Sequence, residues 1–468
     1  MLDPLRRAVQ DRPPWIWVLI LGAALILPQL GTFGLWDPAE IRQADVAREL
    51  AESGSFRDVT ADGRYSPRPP LYVWLVALGF KVLGVNELAG RLPLALCGLL
   101  AALLAYRFGR RVLSPRAGLA AAFVLLTTPT FLFQSRQLAS DVVYYACLLA
   151  AIGGLTAFIW PGDGRRSRLD LVIGALGLVL GFLARGLLLG TVFPLLSVGL
   201  ALAMSWRAEH RASRDGLWPA EAGDLALGQT VGQALREAFK PLATMLAVAA
   251  AAIGLLLAML GQTSHLVVGA EIRRVAIPPT FDVGLKEIGF ATYPWLALAP
   301  LALLAFLAAL RVRHLAPASE PPAEEGPYRT SEGGHELVST VAPWTRDAPV
   351  KLLLVITPVL GYFLGTIWAG FFEKVRYPAL PILAVAVGVL LYEIFASPRH
   401  RYWGLVAAAA ILALQQDFFV APESLAFSHL LQTAKYPAEL DIKLEMRLFG
   451  AALALLWLLA LSLSLIHI

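Results

Sequence analysis

Charged residues are scarce in this chain of 468 residues. Only 16% are Asp, Glu, Lys or Arg and 57% are hydrophobic, whereas about a quarter of the residues of an average soluble domain are charged. This balance excludes a soluble globular enzyme and a disordered chain. Cysteine is scarcer still: Cys97 and Cys147 are the two, and both stand inside apolar runs. They indicate small buried side chains and exclude a disulfide-stabilised secreted domain.

Several motifs of soluble enzymes and metalloenzymes are missing as well. His335 precedes Glu336 without the second histidine of an HExxH zinc site, and no GxxxxGK phosphate-binding loop occurs. His265 and His429 have no partner at metal-ligand spacing. The net charge is +5, but the basic residues stand singly or in pairs rather than forming one basic face. Nucleic acid is therefore excluded as a partner.

Hydrophobic runs, by contrast, are abundant, and many reach the 17 to 25 residues that a helix needs to cross a bilayer. We predict an all-α integral membrane protein, a polytopic bundle of about 12 to 13 transmembrane helices that forms one domain over residues 1–468. The region 69–84 is short, opens with two prolines and contains Lys81, so we predict that it lies at the interface on the outer side. The predicted spans are 15–34, 88–106, 117–133, 141–160, 169–184, 187–206, 241–262, 292–311, 351–371, 377–395, 402–419 and 446–466.

Arginines in the short connections predict the orientation of these spans. The connections 107–116 and 161–168 hold four and three arginines, and cytoplasmic connections are enriched in Lys and Arg. The N-terminus is therefore predicted to be cytoplasmic, and the first loop, 31–87, with its interfacial helices, to be non-cytoplasmic. Residues 312–350, rich in Pro, Glu, Gly and Ser, are predicted to be a flexible cytoplasmic linker.

Acidic residues at the outer edge of the bundle are the first candidates for chemistry, because charges at a membrane boundary are costly unless they are paired or used. Asp37 and Glu40 open the first outer loop, and Asp141 opens the fourth span. Each also has a structural interpretation. Asp37 and Glu40 fit a capping box on a helix that ends at Gly54, and Asp141 suits a helix N-terminus or a pair with Arg136.

Basic residues on the same face are the second group of candidates. Guanidinium groups match phosphate oxygens, and a short turn with two cations beside an aromatic ring is typical of a phosphate clamp. The alternative is that these side chains only extend to the membrane interface. The predicted phosphate-binding residues are Arg68, Arg273, Arg274, Lys374, Arg376 and Tyr377.

The order of several segments resembles a known group, the membrane glycosyltransferases with the GT-C fold. The closest branch is the PMT-like glycosyltransferase family 39, which includes protein O-mannosyltransferases and lipid A aminoarabinose transferases. The resemblance covers most of the first 400 residues. The segments that carry it are 36–40, 46–50, 65–71, 84–93, 136–141 and 374–381.

Two of these segments depart from the family's pattern. The family usually has an Asp-Glu pair in the first loop, where this chain has Ala39-Glu40, with Asp37 two positions away. The family's Glu-Lys-Pro-Pro becomes Pro67-Arg68-Pro69-Pro70, so the cation is retained and its acidic neighbour is lost.

The resemblance implies that a sugar moves from a polyprenyl-phosphate donor to a lipid or protein acceptor. This would occur in the inner (plasma) membrane, on its periplasmic or exterior face, with inversion at the sugar carbon. It implies that Glu40, or Asp37, takes the acceptor's proton with Asp141 as helper, and that the basic candidates bind the donor phosphate. It implies no certain cofactor and leaves a divalent cation open, because some enzymes with this fold use one and others do not.

The alternative function is a transporter or flippase for lipid-linked sugars, which would need no transfer chemistry. Such a protein is expected to place ionisable residues inside its spans, near the membrane midplane. In this sequence nearly all such residues lie at the edges of the spans. The sequence therefore favours the transferase.

Overall fold

The computed structural model describes most of the first 214 residues and four later regions. The described ranges are 13–35, 38–54, 60–61, 64–65, 69–161, 167–214, 231–260, 298–312, 344–371 and 376–396, with single residues between 285 and 295 and between 406 and 455. Apart from one short hairpin, β1 (Thr60–Ala61) and β2 (Arg64–Tyr65), these ranges are helical. The helices are α1 (Trp15–Ile26), α2 (Pro38–Ser53), α3 (Leu71–Leu83), α4 (Glu87–Val112), α5 (Pro115–Thr127), α6 (Pro129–Gln134), α7 (Asp141–Ile159), α8 (Arg168–Leu187), α9 (Phe193–Arg214), α10 (Val231–Leu260), α11 (Leu298–Val312), α12 (Trp344–Phe371) and α13 (Leu380–Ala396).

The described helices include long apolar stretches that confirm the predicted all-α membrane fold. Four stretches are long and apolar enough to cross a membrane: Glu87–Val112, Asp141–Ile159, Arg168–Ser205 and Pro349–Trp368. Shorter apolar helices, among them α1, α5 and α13, accompany them. The predicted spans 402–419 and 446–466 lie almost wholly outside the described residues.

Local sequence signals set several helix ends close to the predicted boundaries. The Asn86 side chain caps α4 by accepting a hydrogen bond from the Ala89 N–H at 2.8 Å, and α2 is followed by Gly54 with φ 68°. Proline decides where two predicted spans stop. The span 15–34 is helical only to Ile26, and the span 117–133 breaks at Thr128, since a residue before proline favours an extended backbone.

The stretch Arg168–Ser205 is a hairpin of two helices rather than one long rod. Gly186 has φ 73° and ψ −173°, a conformation that is essentially confined to glycine. The Thr191 hydroxyl donates to the Leu178 carbonyl at 3.2 Å, although thirteen residues of continuous helix would separate them by about 20 Å. The chain therefore reverses at Arg185-Gly186, as the two predicted spans required, and continues through a π-helical segment, Leu188–Val192.

The core of the bundle is built around α7. Nearly every side chain from Asp141 to Ile159 is buried, which is the pattern of a helix that is apolar on all sides and enclosed by others. Its neighbours are α4, α8, α9, α10 and α13. Small residues allow the closest approaches, since a side chain on Gly177 of α8 would collide with the backbone at Ala151 of α7.

Helix α3 connects the ends of other helices. Gly79 and Phe80 pack against Ala89 and Gly90 in the first turn of α4. At the opposite end of α3, Trp74 packs against a cluster that contains Phe182, close to the end of α8. This arrangement suits the predicted interfacial position, which stays a prediction.

The predicted linker 312–350 is too long at its C-terminal end. Helix α11 ends at Val312 and α12 begins at Trp344, so residues 344–350 are helical rather than flexible. Pro349 falls inside the first two turns of α12, where the sequence composition had favoured a loop. The remainder of the predicted linker lies outside the described residues.

Candidate active site at one end of the bundle

The nine predicted site residues divide into two groups. The structure describes Glu40, Asp141, Arg376 and Tyr377. The other predicted residues lie outside the described part of the chain: Asp37, Arg68, Arg273, Arg274 and Lys374.

Asp141 is the centre of a charged cluster at the start of α7. Its carboxylate is only 5% exposed. Oδ1 accepts a hydrogen bond from the Arg185 guanidinium, and Oδ2 lies 3.9 Å from Nε of Arg376. Two cations thus surround one carboxylate, and these three groups together carry a net charge of about +1 at neutral pH.

The three charged residues come from different elements that meet at this end of the bundle. Asp141 is the first residue of α7, Arg185 is at the reversal between α8 and α9, and Arg376 is four residues before the start of α13. Arg185 has φ −143° and ψ 15°, which is not helical, and Gly186 turns the chain after it. The reversal therefore turns the Arg185 side chain back towards the start of α7.

Tyrosines fix the connection before α13 beside this cluster. Tyr145, one helical turn after Asp141, donates to the Tyr377 carbonyl at 3.3 Å. The Tyr377 hydroxyl donates to the Pro358 carbonyl in α12 at 2.8 Å. Because Tyr377 is held from two sides, the neighbouring Arg376 is restricted to a position near Asp141.

Glu40 forms a second buried charged group. Its side chain is 3% exposed, and Oε1 accepts hydrogen bonds from Arg91 Nε at 3.1 Å and from the Leu138 backbone N–H at 2.9 Å. Oε2 is also buried and finds no hydrogen-bond donor within the described structure. The capping box predicted for Asp37 and Glu40 stays a prediction, because Asp37 lies outside the described residues.

Arg91 ties the first loop to α4. It is fully buried, and besides Glu40 it donates to the carbonyls of Leu30 at 3.2 Å, Phe33 at 2.6 Å and Gly34 at 3.1 Å. Its guanidinium carbon lies 3.9 Å from the centre of the Phe33 ring, within the range of a cation–π interaction. These contacts satisfy carbonyls of the irregular backbone after α1 and neutralise Glu40.

The segment 138–141 brings the two acidic groups to the same end of the bundle. Leu138, which donates to Glu40, is three residues before Asp141, so their α-carbons are at most about 11 Å apart. Glu40, Asp141 and Arg376 are therefore brought into one region, together with Arg91 and Arg185.

Arg136, one of the alternatives for a partner of Asp141, does not pair with it in the structure. Arg136 donates instead to the carbonyls of Leu25 and Pro28, each at 2.8 Å. The last carbonyls of a helix have no partner within it, and Arg136 supplies donors to this end of α1. Asp141 instead forms an ion pair with Arg185.

Sequence reasoning did not select Arg91 and Arg185 as site residues. Both carried a signal, since each is an isolated arginine in an otherwise apolar stretch, where a charge needs a partner. Their partners are 51 and 44 residues away, so only the fold could identify them. Among the described residues, no three His, Cys, Asp or Glu side chains converge on a common point.

Comparisons with known proteins agree with this architecture. Residues 67–214 match the family model described as dolichyl-phosphate-mannose-protein mannosyltransferase. ArnT from Cupriavidus metallidurans bound to undecaprenyl phosphate superposes with a TM-score of 0.59 over 96% of this chain and 71% of ArnT, at 16% identity. The chain has the GT-C fold. The predicted resemblance to the PMT-like group is confirmed.

Sequence relatives point to the same group. An undecaprenyl phosphate-alpha-4-amino-4-deoxy-L-arabinose arabinosyl transferase of Pseudomonas savastanoi is 37% identical over 113 residues, covering 23% of this chain and 21% of the relative. A protein of the same name from Pseudomonas aeruginosa is 29% identical over 179 residues, covering 38% and 33%. An uncharacterized protein of Aquifex aeolicus is 29% identical over 147 residues, covering 31% and 29%. The chain thus matches about a third or less of the length of these relatives.

Proposed function

We propose that this protein is a membrane glycosyltransferase that moves a sugar from a polyprenyl-phosphate donor to a lipid or protein acceptor. The observation that carries the proposal is the charged cluster of Asp141, Arg185 and Arg376, placed at helix ends of a GT-C fold. The fold is shared with an ArnT bound to undecaprenyl phosphate, and a phosphate ester is the ligand that paired guanidinium groups suit best.

Arg185 and Arg376 bind the donor phosphate in this mechanism. The phosphodiester of the donor carries one negative charge, and the polyprenyl phosphate that leaves carries about two near neutral pH. Two arginines that share one aspartate have the surplus positive charge to stabilise the charge that grows during departure. Asp141 pairs with both arginines, so its role in this mechanism is to position them.

Glu40 is the proposed general base. Oε1 is saturated by Arg91 and Leu138, whereas Oε2 has no described donor and can accept a proton from the acceptor hydroxyl. The acceptor oxygen forms a bond to the anomeric carbon while the bond from that carbon to the phosphate oxygen breaks. The proton goes to Glu40, the electron pair leaves with the phosphate, and attack from the opposite face inverts the anomeric centre. Asp37 is the alternative base.

Purified enzyme with defined donors tests these roles. Undecaprenyl-phosphate-linked 4-amino-4-deoxy-L-arabinose and polyprenyl-phosphate mannose, each with a lipid A or serine/threonine peptide acceptor, would be assayed for release of polyprenyl phosphate. We expect Glu40→Gln to lower kcat by about 10²–10⁴-fold, the usual contribution of a general base. Arg185→Gln is expected to raise KM and lower kcat, whereas Arg48→Gln, on the exposed face of α2, serves as the matched control. Activity of Glu40→Gln equal to that of Arg48→Gln would exclude Glu40 as the base.

Flippase activity has less support from the described residues. Ionisable groups buried among the spans lie near helix ends: Arg91 is in the second turn of α4, and the Lys351–Glu393 pair joins the early part of α12 to the last turn of α13. A transport site at the midplane would require such groups midway along the helices. Turnover separates the two functions, because a flippase moves the lipid-linked sugar without cleaving it.

The proposed site faces the periplasm or exterior of the inner membrane, with 31–87 as its catalytic loop. This orientation is supported by the arginines of the opposite connections. A cysteine at the exposed Val85, introduced after Cys97→Ala and Cys147→Ala, is expected to react with an impermeant maleimide added to intact cells. Labelling only after the inner membrane is opened would reverse the orientation.

A further inference from the structure

A cavity of about 700 Å³ lies at the end of the bundle opposite the candidate active site. Helix α7 connects the two regions: it begins at Asp141, and Gly153 and Ala157 near its other end line the cavity. Sixteen residues of helix place Ala157 about 24 Å from Asp141. The cavity is therefore separate from the site proposed for sugar transfer.

Three arginines of α4 make this cavity basic. Arg107 pairs with Asp170 at the start of α8, and Arg111 donates to the Trp160 carbonyl at the end of α7. Arg110 is exposed and forms no ion pair with any residue that the structure describes. One aspartate against three arginines leaves the described lining with a surplus of positive charge.

Apart from Tyr106 and Ser167, the remaining side chains of the lining are apolar. Leu103, Leu104, Leu149 and Ile173 contribute, and Trp15 stands at the first turn of α1. Tryptophan is enriched where a membrane meets water. The cavity thus combines arginines with an apolar wall, and Trp15 suggests that it lies at the level of the headgroups. This combination suits a ligand with a phosphate at one end and a hydrocarbon chain at the other.

We propose that this cavity binds the phosphate group of an anionic phospholipid, with an acyl chain along the apolar wall. Basic pockets between transmembrane helices on the cytoplasmic side recognise anionic headgroups. In the predicted orientation, these helix ends are cytoplasmic. The same cationic lining would attract a free phosphate ester, so the experiment has to separate lipid from soluble phosphate.

Two variants test the cavity, one by changing its volume and the other by changing its charge. Gly153 has space beside it, since an added Cβ would meet only the Phe108 Cβ, at 3.9 Å. Gly153→Leu therefore narrows the cavity, and its Cβ meets no backbone atom. Arg110→Gln removes an exposed cation from the lining of the cavity. Arg116→Gln is the matched control, because Arg116 is exposed in the same arginine-rich region and is not part of the lining.

Native mass spectrometry of the delipidated full-length protein measures the binding. Phosphatidylglycerol, phosphatidylcholine and glycerol 3-phosphate would be titrated separately, after gel filtration has shown that each variant is monodisperse. We expect one phosphatidylglycerol to bind in preference to phosphatidylcholine. Arg110→Gln should weaken it about fivefold, as expected for the loss of about 1 kcal/mol per basic residue. Gly153→Leu should abolish it, and Arg116→Gln should change it less than twofold.

Three results would overturn the proposal. They are equal binding of phosphatidylcholine, equal effects of Arg110→Gln and Arg116→Gln, and glycerol 3-phosphate binding as tightly as the lipid, which would make the ligand a soluble phosphate. None of these results bears on sugar transfer, since the cavity and the proposed active site share no residue.

Discussion

Replacing Arg91 by methionine is the most informative single perturbation of this fold. The change keeps a long side chain in a fully buried position but removes the partner of Glu40 and the donors to three loop carbonyls. Breaking a buried ion pair from one side costs about 3–5 kcal/mol, because the remaining charge is left without compensation. We expect the free energy of unfolding to fall by about that amount.

The measurement is unfolding in mixed dodecyl maltoside and SDS micelles, followed by tryptophan fluorescence. The matched control is Arg48→Met, since Arg48 is 47% exposed and lies 3.8 Å from Asp45 and from Glu52 on the surface of α2. Exposed ion pairs of this type contribute about 0–1 kcal/mol. The buried and exposed arginines therefore differ in expected cost by several kcal/mol.

A double-mutant cycle isolates the Arg91–Glu40 interaction from the loop carbonyls. Glu40→Gln in the Arg91→Met background removes the uncompensated carboxylate and leaves an amide that can still accept from Leu138. The double variant should therefore be more stable than the sum of the single changes predicts, with a coupling of about 1–3 kcal/mol. An Arg91→Met variant as stable as Arg48→Met, or a coupling near zero, would refute the buried ion pair as the anchor of the first loop.

Three further predictions concern other parts of the bundle. Gly186→Ala should cost about 1–3 kcal/mol of stability, since its backbone conformation is essentially confined to glycine, and should raise the KM for donor by displacing Arg185. Arg136→Gln should lower the melting temperature in detergent, because its two bonds to carbonyls at the end of α1 are each worth about 1.5–3 kcal/mol. Lys351→Met should destabilise the protein by about 3–5 kcal/mol, because it leaves Glu393 buried without its partner. The double variant Lys351→Met, Glu393→Leu should lose much less stability, because it leaves neither charge of the pair behind. Equal losses in the two variants would contradict this reasoning.

Sequence reasoning predicted most of the architecture because the relevant signals are local. The predicted span 141–160 matches α7, and 169–184 falls within α8, since hydrophobicity and end residues determine both. The reversal at Arg185-Gly186 was predicted from two adjacent hydrophobic runs with a charged residue and a glycine between them. The span 15–34 was too long because hydrophobicity alone does not register that Pro28 interrupts a helix.

Partner choice among the charged residues could not be predicted in the same way. Arg136 is five residues from Asp141 in sequence, yet it bonds to carbonyls more than a hundred residues away. The reason is competition: the end of α1 presents carbonyls without donors, and Asp141 is satisfied by Arg185 across the bundle. Closeness in sequence suggests which residues could form an ion pair. Which pair forms depends on the unsatisfied donors and acceptors that the fold brings together.

The same competition changes the interpretation of Glu40. From the sequence, Glu40 was either a helix-capping residue or a catalytic acid. The structure gives it a third role, since one oxygen neutralises Arg91 and fixes the first loop to the segment before Asp141. In the proposed mechanism that role leaves Oε2 for proton transfer, so anchoring and catalysis would divide between the two oxygens of one carboxylate. Glu40→Gln tests this division: the amide oxygen can still accept the Leu138 and Arg91 bonds, but it is a very weak base and no longer neutralises the buried Arg91. We therefore expect the activity of the folded variant to be lost, together with a fall of a few kcal/mol in the free energy of unfolding.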